Sequence, residues 1–457
     1  MKLFISFASF ARASAAFAAS SLLSVSAQTT LAEAVRLAGE KYPGVQVSLE
    51  EVRTAAAGVQ LARTQFLPRA DFLAQVDRAT HNNVFGMTMP NPVMPPISGP
   101  ARVVNAGTNV WGTATGFLVS WEPFDFGVRD ARVNAAAAGK TRAEAAVART
   151  RFEVETAAAD ACLTILAADR AVASARAGVE RAHSFEQVVT ALAKSELRPG
   201  ADAERAIAER ALAEARLVQA EKAARIARSA LVQLTGQPVT AIATPPAPPD
   251  SAASGTATHP LLVEQQAAID ESAARQKVLD KTWVPRFQLQ SSLYARGSGV
   301  NPDFTSGGAA AGLGPNIYNW GIGFTMLFPL LDQPAIKAQK EAEASRARTE
   351  AVRLQKIRRD LTAEQEKAQA QLDAARRIAA LTPAELNAAR AAYEQAQARY
   401  RSGLANITEV ADSQRLLVDA ETDQALAQLG IWRGLLGVAA AQGDLGGFLT
   451  SAGGAKP

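Results

Sequence analysis

Two hydrophobic periods alternate along this chain. Val154, Ala158, Ala161, Ile165, Ala168, Val172, Ala175, Val179 and Ala182 step by fours and threes, the spacing of a helix packed along a seam. Small alanines at those positions let helix axes approach closely. The pattern predicts a helix over about Val128–Leu197, on the order of 100 Å long. Its partner starts after Pro199-Gly200 and ends at Gly236, so Gly200 marks a hairpin turn. A second long helix is expected over about Ala335–Arg401, and Thr382-Pro383 with Glu385 predicts a kink in it. The last helix follows the turn at Gly403 and stops near Gly443. Near the start, Thr30 with Glu33 reads as a capping box, and a further helix over Val45–Phe66 stops before Pro68.

Between the helices the period falls to two. Tyr318, Trp320, Ile322, Phe324, Met326 and Phe328 alternate with Asn319, Gly321, Gly323, Thr325 and Leu327. Alternation with aromatics toward both ends is the pattern of a strand with one face in lipid, so Trp320, Ile322, Phe324, Met326 and Phe328 are the candidate lipid-facing set. Weaker alternation appears over 287–294, 70–77 and 111–121, giving four strands of bilayer-crossing length.

The punctuation repeats. Tyr42-Pro43 stands to Leu67-Pro68 as His259-Pro260 stands to Val284-Pro285, and Gly116-Phe117 precedes Asp125 as Gly323-Phe324 precedes Asp332. The spacing from Asp125 to Gly236 equals that from Asp332 to Gly443. The chain therefore divides into a first repeat over 28–236, a Pro/Ala/Thr-rich linker over 237–258, a second repeat over 259–443 and a flexible Gly-rich tail over 444–457. Residues 1–27 read as a secretory signal that is removed: Lys2, an apolar stretch, then Val25-Ser26-Ala27. A retained anchor is the weaker alternative, since Arg12 interrupts the run.

Composition then excludes several classes. With 457 residues, one cysteine (Cys162) and three scattered histidines (His81, His183, His259), the chain has no disulfide framework, and neither a metal site nor a catalytic constellation can be assembled. The net charge of +4 includes Lys2 and Arg12 of the signal and is too small to imply a nucleic-acid partner. Past the signal, no uncharged apolar run approaches the ~20 residues of a spanning helix. Leu429–Ala441 comes closest, but it carries Arg433. Any crossing must be by strands.

A sheet facing lipid has to close, because an open edge leaves amides unpaired in hydrocarbon. Four strands cannot close; two copies would give eight with a filled interior, and three would give twelve with a lumen. The expected fold is an α+β membrane protein: a homotrimeric 12-stranded β-barrel, four strands per chain, with two internal repeats. The loops His81–Thr108 and Gly297–Asn316 would face outward.

With these features the chain resembles the TolC family of outer-membrane efflux proteins. The resemblance rests on Leu31 with Glu33-Ala34, Pro43, Leu67-Pro68, Gly116-Phe117 leading to Asp125-Phe126-Gly127, and Tyr400 with Gly403 before Val410 and Asp412. It implies an outer-membrane barrel continuous with a long periplasmic helical barrel in a Gram-negative bacterium. Its implied partners are a periplasmic adaptor and an inner-membrane pump, or a type I secretion system, and it implies no cofactor or enzymatic role. It also implies a periplasmic aperture at the hairpin turn, with Tyr400 holding the tip closed by a hydrogen bond and Glu409 and Asp412 on one helix face as a ring of carboxylates. The family's arginine in that loop is replaced by Ala405. Asn406 with Glu409 also fits an ordinary helix cap. A periplasmic coiled-coil adaptor or scaffold is the competing reading, although an adaptor contributes one hairpin where this chain has two helix-strand sets.

Overall fold

The computed structural model describes residues 29–80, 109–239, 241–250, 258–303 and 305–453. The expected signal segment and the loop His81–Thr108 fall outside these residues. In order, the elements are α1 (Leu31–Lys41), α2 (Pro43–Thr64), β1 (Arg69–Thr80), β2 (Asn109–Phe124), α3 (Val128–Lys194), α4 (Gly200–Thr235), α5 (Pro260–Asp280), β3 (Arg286–Ser298), β4 (Ile317–Leu327), α6 (Gln333–Arg401), α7 (Ile407–Gln442) and α8 (Gly446–Ser451). No described helix is long and apolar enough to cross a membrane.

The described residues separate into two compact units, and each draws on both halves of the chain. One comprises 49–145 with 264–355, the other 1–48 with 146–263 and 356–457.

The first unit holds one antiparallel sheet in the order β1-β2-β3-β4, so β1 and β4 are its edges. One line of partners crosses it: Phe72 opposes Phe117, Phe117 opposes Leu293, and Leu293 opposes Trp320, while the β2–β3 register shifts between Trp121 and Phe124. The close approach of β2 and β3 depends on Gly116, where a Cβ would come within 2.4 Å of the Leu293 carbonyl oxygen and the Tyr294 Cβ. Where β2 passes into α3, Phe126 and Gly127 take positive φ of 51° and 83°. Asp125 caps the turn, accepting from the amides of Gly127 (3.1 Å) and Arg129 (2.6 Å) and from Arg129 Nε (3.0 Å). Arg129 in turn donates to the Gln65 carbonyl and lies over the Phe66 ring at 4.7 Å, pinning the end of α2. Burial works to raise the Asp125 pKa, but the Arg129 and Gly127 hydrogen bonds outweigh it and hold the carboxyl below its ordinary range. Its counterpart Asp332 is exposed; there Pro334 sits in the first turn of α6, where a missing amide is harmless.

In the second unit, Thr30 caps α1 through the Glu33 amide at 3.2 Å, and Leu31, Ala34, Val35 and Ala38 form its buried face. The α3 seam is buried at Val154, Ala158, Ala161 and Ile165 and half-buried through Ala168, Val172 and Ala175. α6 runs through Pro383 without a break. The Ala379 carbonyl, whose amide partner proline removes, accepts instead from the Thr382 hydroxyl at 3.3 Å. The linker is not a free tether along its described part: Thr29 bridges Ile242, and the Trp432 indole donates to the Pro246 carbonyl at 3.2 Å. The tail expected to be flexible carries α8, because Phe448 gives it an apolar anchor edge-on to Trp432 at 5.8 Å. Beside the linker, His259 accepts from the Leu261 amide through Nδ1 at 3.2 Å, and burial holds it below the ordinary histidine range.

Candidate functional site

Both helical hairpin turns fall in the second unit. The α6–α7 turn ends in a glycine-capped motif: Gly403 takes φ 81°, and the Leu404 amide reaches back to the Arg399 carbonyl at 2.8 Å. The α3–α4 turn closes the same way, with Leu197 donating to the Leu192 carbonyl at 3.0 Å, but here the left-handed residue is Glu196, at φ 54°. Gly200 is therefore not the pivot of its turn. It is the first residue of α4, after Pro199, and nothing lies within 4 Å of where its Cβ would be.

Tyr400 sits at the end of α6 with 0% of its surface exposed. Four helices bury it in one cluster: Phe185 and Val189 from α3, Ala206 from α4, Tyr393 and Ala396 from α6, and Ile407 and Val410 from α7. Its hydroxyl donates to Asp202 Oδ2 at 2.9 Å. Arg198, in the α3–α4 turn, donates to the Tyr400 carbonyl and lies over its ring at 4.3 Å. Burial, then the bond to Asp202, pushes the phenol up to about 12, so it stays protonated and donating at physiological pH. Ala405 packs against this cluster as an apolar residue.

Glu409 and Asp412 lie in the first two turns of α7. The Glu409 amide donates to Asn406 Oδ1 at 2.9 Å, so the cap geometry is present. Neither carboxylate stands alone: Glu409 pairs with Arg399 at 3.4 Å, and Asp412 with Arg415 at 3.6 Å. Arg415 also reaches Glu209 of α4 at 2.6 Å, and Arg181 of α3 makes two bonds to Glu421 of α7, at 2.7 and 3.3 Å. Sequence reasoning missed Arg198, Asp202, Arg399 and Arg415. Two signals could have flagged some of them: Arg399 lies within one helical turn of the α6 terminus, a cation beside the terminal carbonyls, and Arg415 stands three residues after Asp412 on one helix face.

The sheet has one apolar face. Phe72, Phe117, Val119, Trp121, Leu293, Trp320, Ile322, Phe324 and Met326 share it by register, and Trp320 is 78% exposed. Phe287 stacks on Phe324 at 5.6 Å. Phe328 falls one residue past the end of β4 and is less exposed than its predecessors. The opposite face carries Asp71, Gln75, Asp77, Gln288, Gln290, Ser292, Asn319 and Thr325. Trp111, which carries the Arg78 guanidinium at 5.0 Å, and Trp121, whose indole donates to the Phe66 carbonyl at 3.0 Å, mark the two ends of the apolar face. About ten residues separate them, roughly 25 Å of height for a strand tilted by about 40°. That matches the apolar band of an outer-membrane barrel.

Among the described residues no group of three or more His, Cys, Asp or Glu is placed to hold a metal ion. Cys162 is buried, and burial pushes its thiol up to about 12.

Known proteins bear on this arrangement. The model of the outer membrane efflux protein family matches residues 34–237 and 256–443. The chain belongs to that family, whose members are channels and not enzymes. Solved structures share its fold. The outer-membrane channel OprN aligns at 19% identity and TM-score 0.71 over 90% of this chain and 89% of its own. The Campylobacter jejuni CmeC outer membrane channel aligns at 14% and 0.74 over 90% and 85%. The open state of the Neisseria gonorrhoeae MtrE outer membrane channel aligns at 16% and 0.67 over 91% and 89%. No curated protein sequence matches the chain.

Proposed function

We propose that three copies of this chain close their sheets into a 12-stranded barrel in the outer membrane and their helices into a periplasmic conduit. The observation that carries this is the sheet itself: four strands, two open edges, and an exposed apolar face of bilayer height. An edge left open in hydrocarbon leaves a row of backbone groups without partners, at several kcal/mol each, so closure by further copies is the only stable outcome. The repeats 28–236 and 259–443 each supply one hairpin to the wall. The conduit serves as the exit duct of a tripartite efflux pump or type I secretion system, docked to a periplasmic adaptor and an inner-membrane pump. The Gly403 turn is its periplasmic aperture, with Tyr400 holding α6 to the α3–α4 turn and Glu409 and Asp412 as the charged rim.

Native mass in detergent, with gel mobility before and after heating, tests the assembly. Three copies and a heat-dependent shift are expected; a single water-soluble copy overturns it. Loss of export in a deletion strain, restored by the intact gene, tests the duct.

A further inference from the structure

The two hairpins of the sheet correspond residue by residue once Pro68 is set on Pro285 and Gly116 on Gly323. Under that correspondence the Phe72–Phe117 pair becomes Leu289–Phe324, and Leu73–Gly116 becomes Gln290–Gly323. Both are pairs that β3 and β4 make. Register therefore follows position in the repeat and not the particular side chains, since Leu73 and Gln290 share a place and differ in polarity.

The joint between one hairpin and the next occurs once inside the chain, where β2 meets β3. There Gly116 opposes Tyr294, Phe117 opposes Leu293, Leu118 opposes Ser292 and Ala114 opposes Arg296. The same correspondence carries β2 onto β4 and β3 back onto β1. Resting on the reading that copies of the chain close the barrel, we infer that β4 joins β1 of a neighbouring copy in the matching register. Gly323 then opposes Asp77, Phe324 opposes Val76, Thr325 opposes Gln75 and Gly321 opposes Ala79 of that copy.

Two features of the chain support this seam. First, it keeps the faces consistent: Phe324, Ile322 and Met326 meet Val76, Arg78 and Ala74, while Thr325 and Gly323 meet Gln75 and Asp77 on the polar side. A slip of one residue would set Asp71 and Asp77 of β1 against the apolar positions of β4, a mismatch of faces that the shared pleat does not allow. A slip of two keeps the faces but gives the seams a different stagger from the internal joints, whereas equal stagger keeps strand tilt even around a closed barrel. Second, Gly116 lies tight against β3, while its counterpart Gly323 has nothing within 4 Å of where its Cβ would be. A position crowded inside the chain is open at the edge, where the neighbouring strand would arrive.

Paired cysteines test the register in the full-length membrane protein, with buried Cys162 left in place. Under mild oxidation, Thr325→Cys with Gln75→Cys should give covalent dimers and closed trimers that survive boiling without reductant. The yield should exceed by roughly tenfold that of the two-residue slips, Thr325→Cys with Asp77→Cys or with Leu73→Cys, because a disulfide tolerates little error in Cα separation. Gly321→Cys with Ala79→Cys is an independent second pair. A protein that is trimeric by native mass but links equally or better at a slipped pair, or at neither proposed pair, overturns the register and leaves the assembly standing. A protein that is monomeric by native mass overturns the assembly and the seam with it.

Discussion

Tyr400 is gripped by one turn at three points: its hydroxyl by Asp202, its carbonyl and its ring by Arg198. Tyr400→Phe removes one buried hydrogen bond, worth about 1 kcal/mol, and leaves Asp202 without its donor. In planar bilayers the closed-state conductance should rise, and Arg198→Ala should raise it too; unchanged conductance in both would reject the aperture. The phenol also sets a sign in pH. Its folded value lies above the free value of 10.0, so its contribution is complete below about pH 10 and lost as pH rises through about 12. Thermal melts of the wild type should fall across that window relative to Tyr400→Phe. Arg399 and Arg415 pair with Glu409 and Asp412; if these carboxylates form the proposed rim, Arg399→Ala should increase cation preference, read as a shift in reversal potential, while Glu409→Ala with Asp412→Ala should reduce it. The partners of Tyr400 could not be read from the chain, because Asp202 and Arg198 reach it from a hairpin some two hundred positions earlier.

At the scale of elements, the long helices, the four strands and both hairpin turns were legible, since each is written in a local period with local stop signals. What was not legible is how equal motifs diverge. The paired aspartates sit at matching places, yet Asp125 is a buried cap bound to Arg129, whereas Asp332 is exposed before a proline that needs no amide partner. Asp125→Ala should cost about 3–5 kcal/mol by leaving a buried guanidinium unpaired. Because its carboxyl titrates below the ordinary 3.8, that advantage is full above the ordinary value and fades as pH falls through the folded one. Chemical melts from about pH 5 down toward pH 2 should show wild type and variant converging. The turns diverge as well: Glu196 occupies a left-handed position that Gly403 takes in the other hairpin. Glu196→Gly should raise stability by about 1 kcal/mol, a gain visible as a higher melting temperature.

For the whole molecule, the apolar sheet face makes a depth-dependent prediction. In the proposed barrel, Ile322→Arg near the bilayer midplane should cost about 2–4 kcal/mol, whereas Thr325→Arg on the polar face should cost far less. Urea titrations in detergent or lipid would separate the two, and equal costs would place both faces in water.

By itself the sequence determined what is encoded within a few residues: the coiled-coil seam, the alternation of the strands, the caps, and the doubling that makes one half a template for the other. It also contained the argument for closure, because apolar alternation with too few strands is a local fact with a global consequence. The tertiary structure alone decided that Asp202 and Arg198 grip Tyr400, that Arg415 meets Glu209, that Trp432 holds the linker at Pro246, and how β2 registers on β3. Those depend on segments brought together from far along the chain, and no short-range pattern carries the distance or angle at which they arrive.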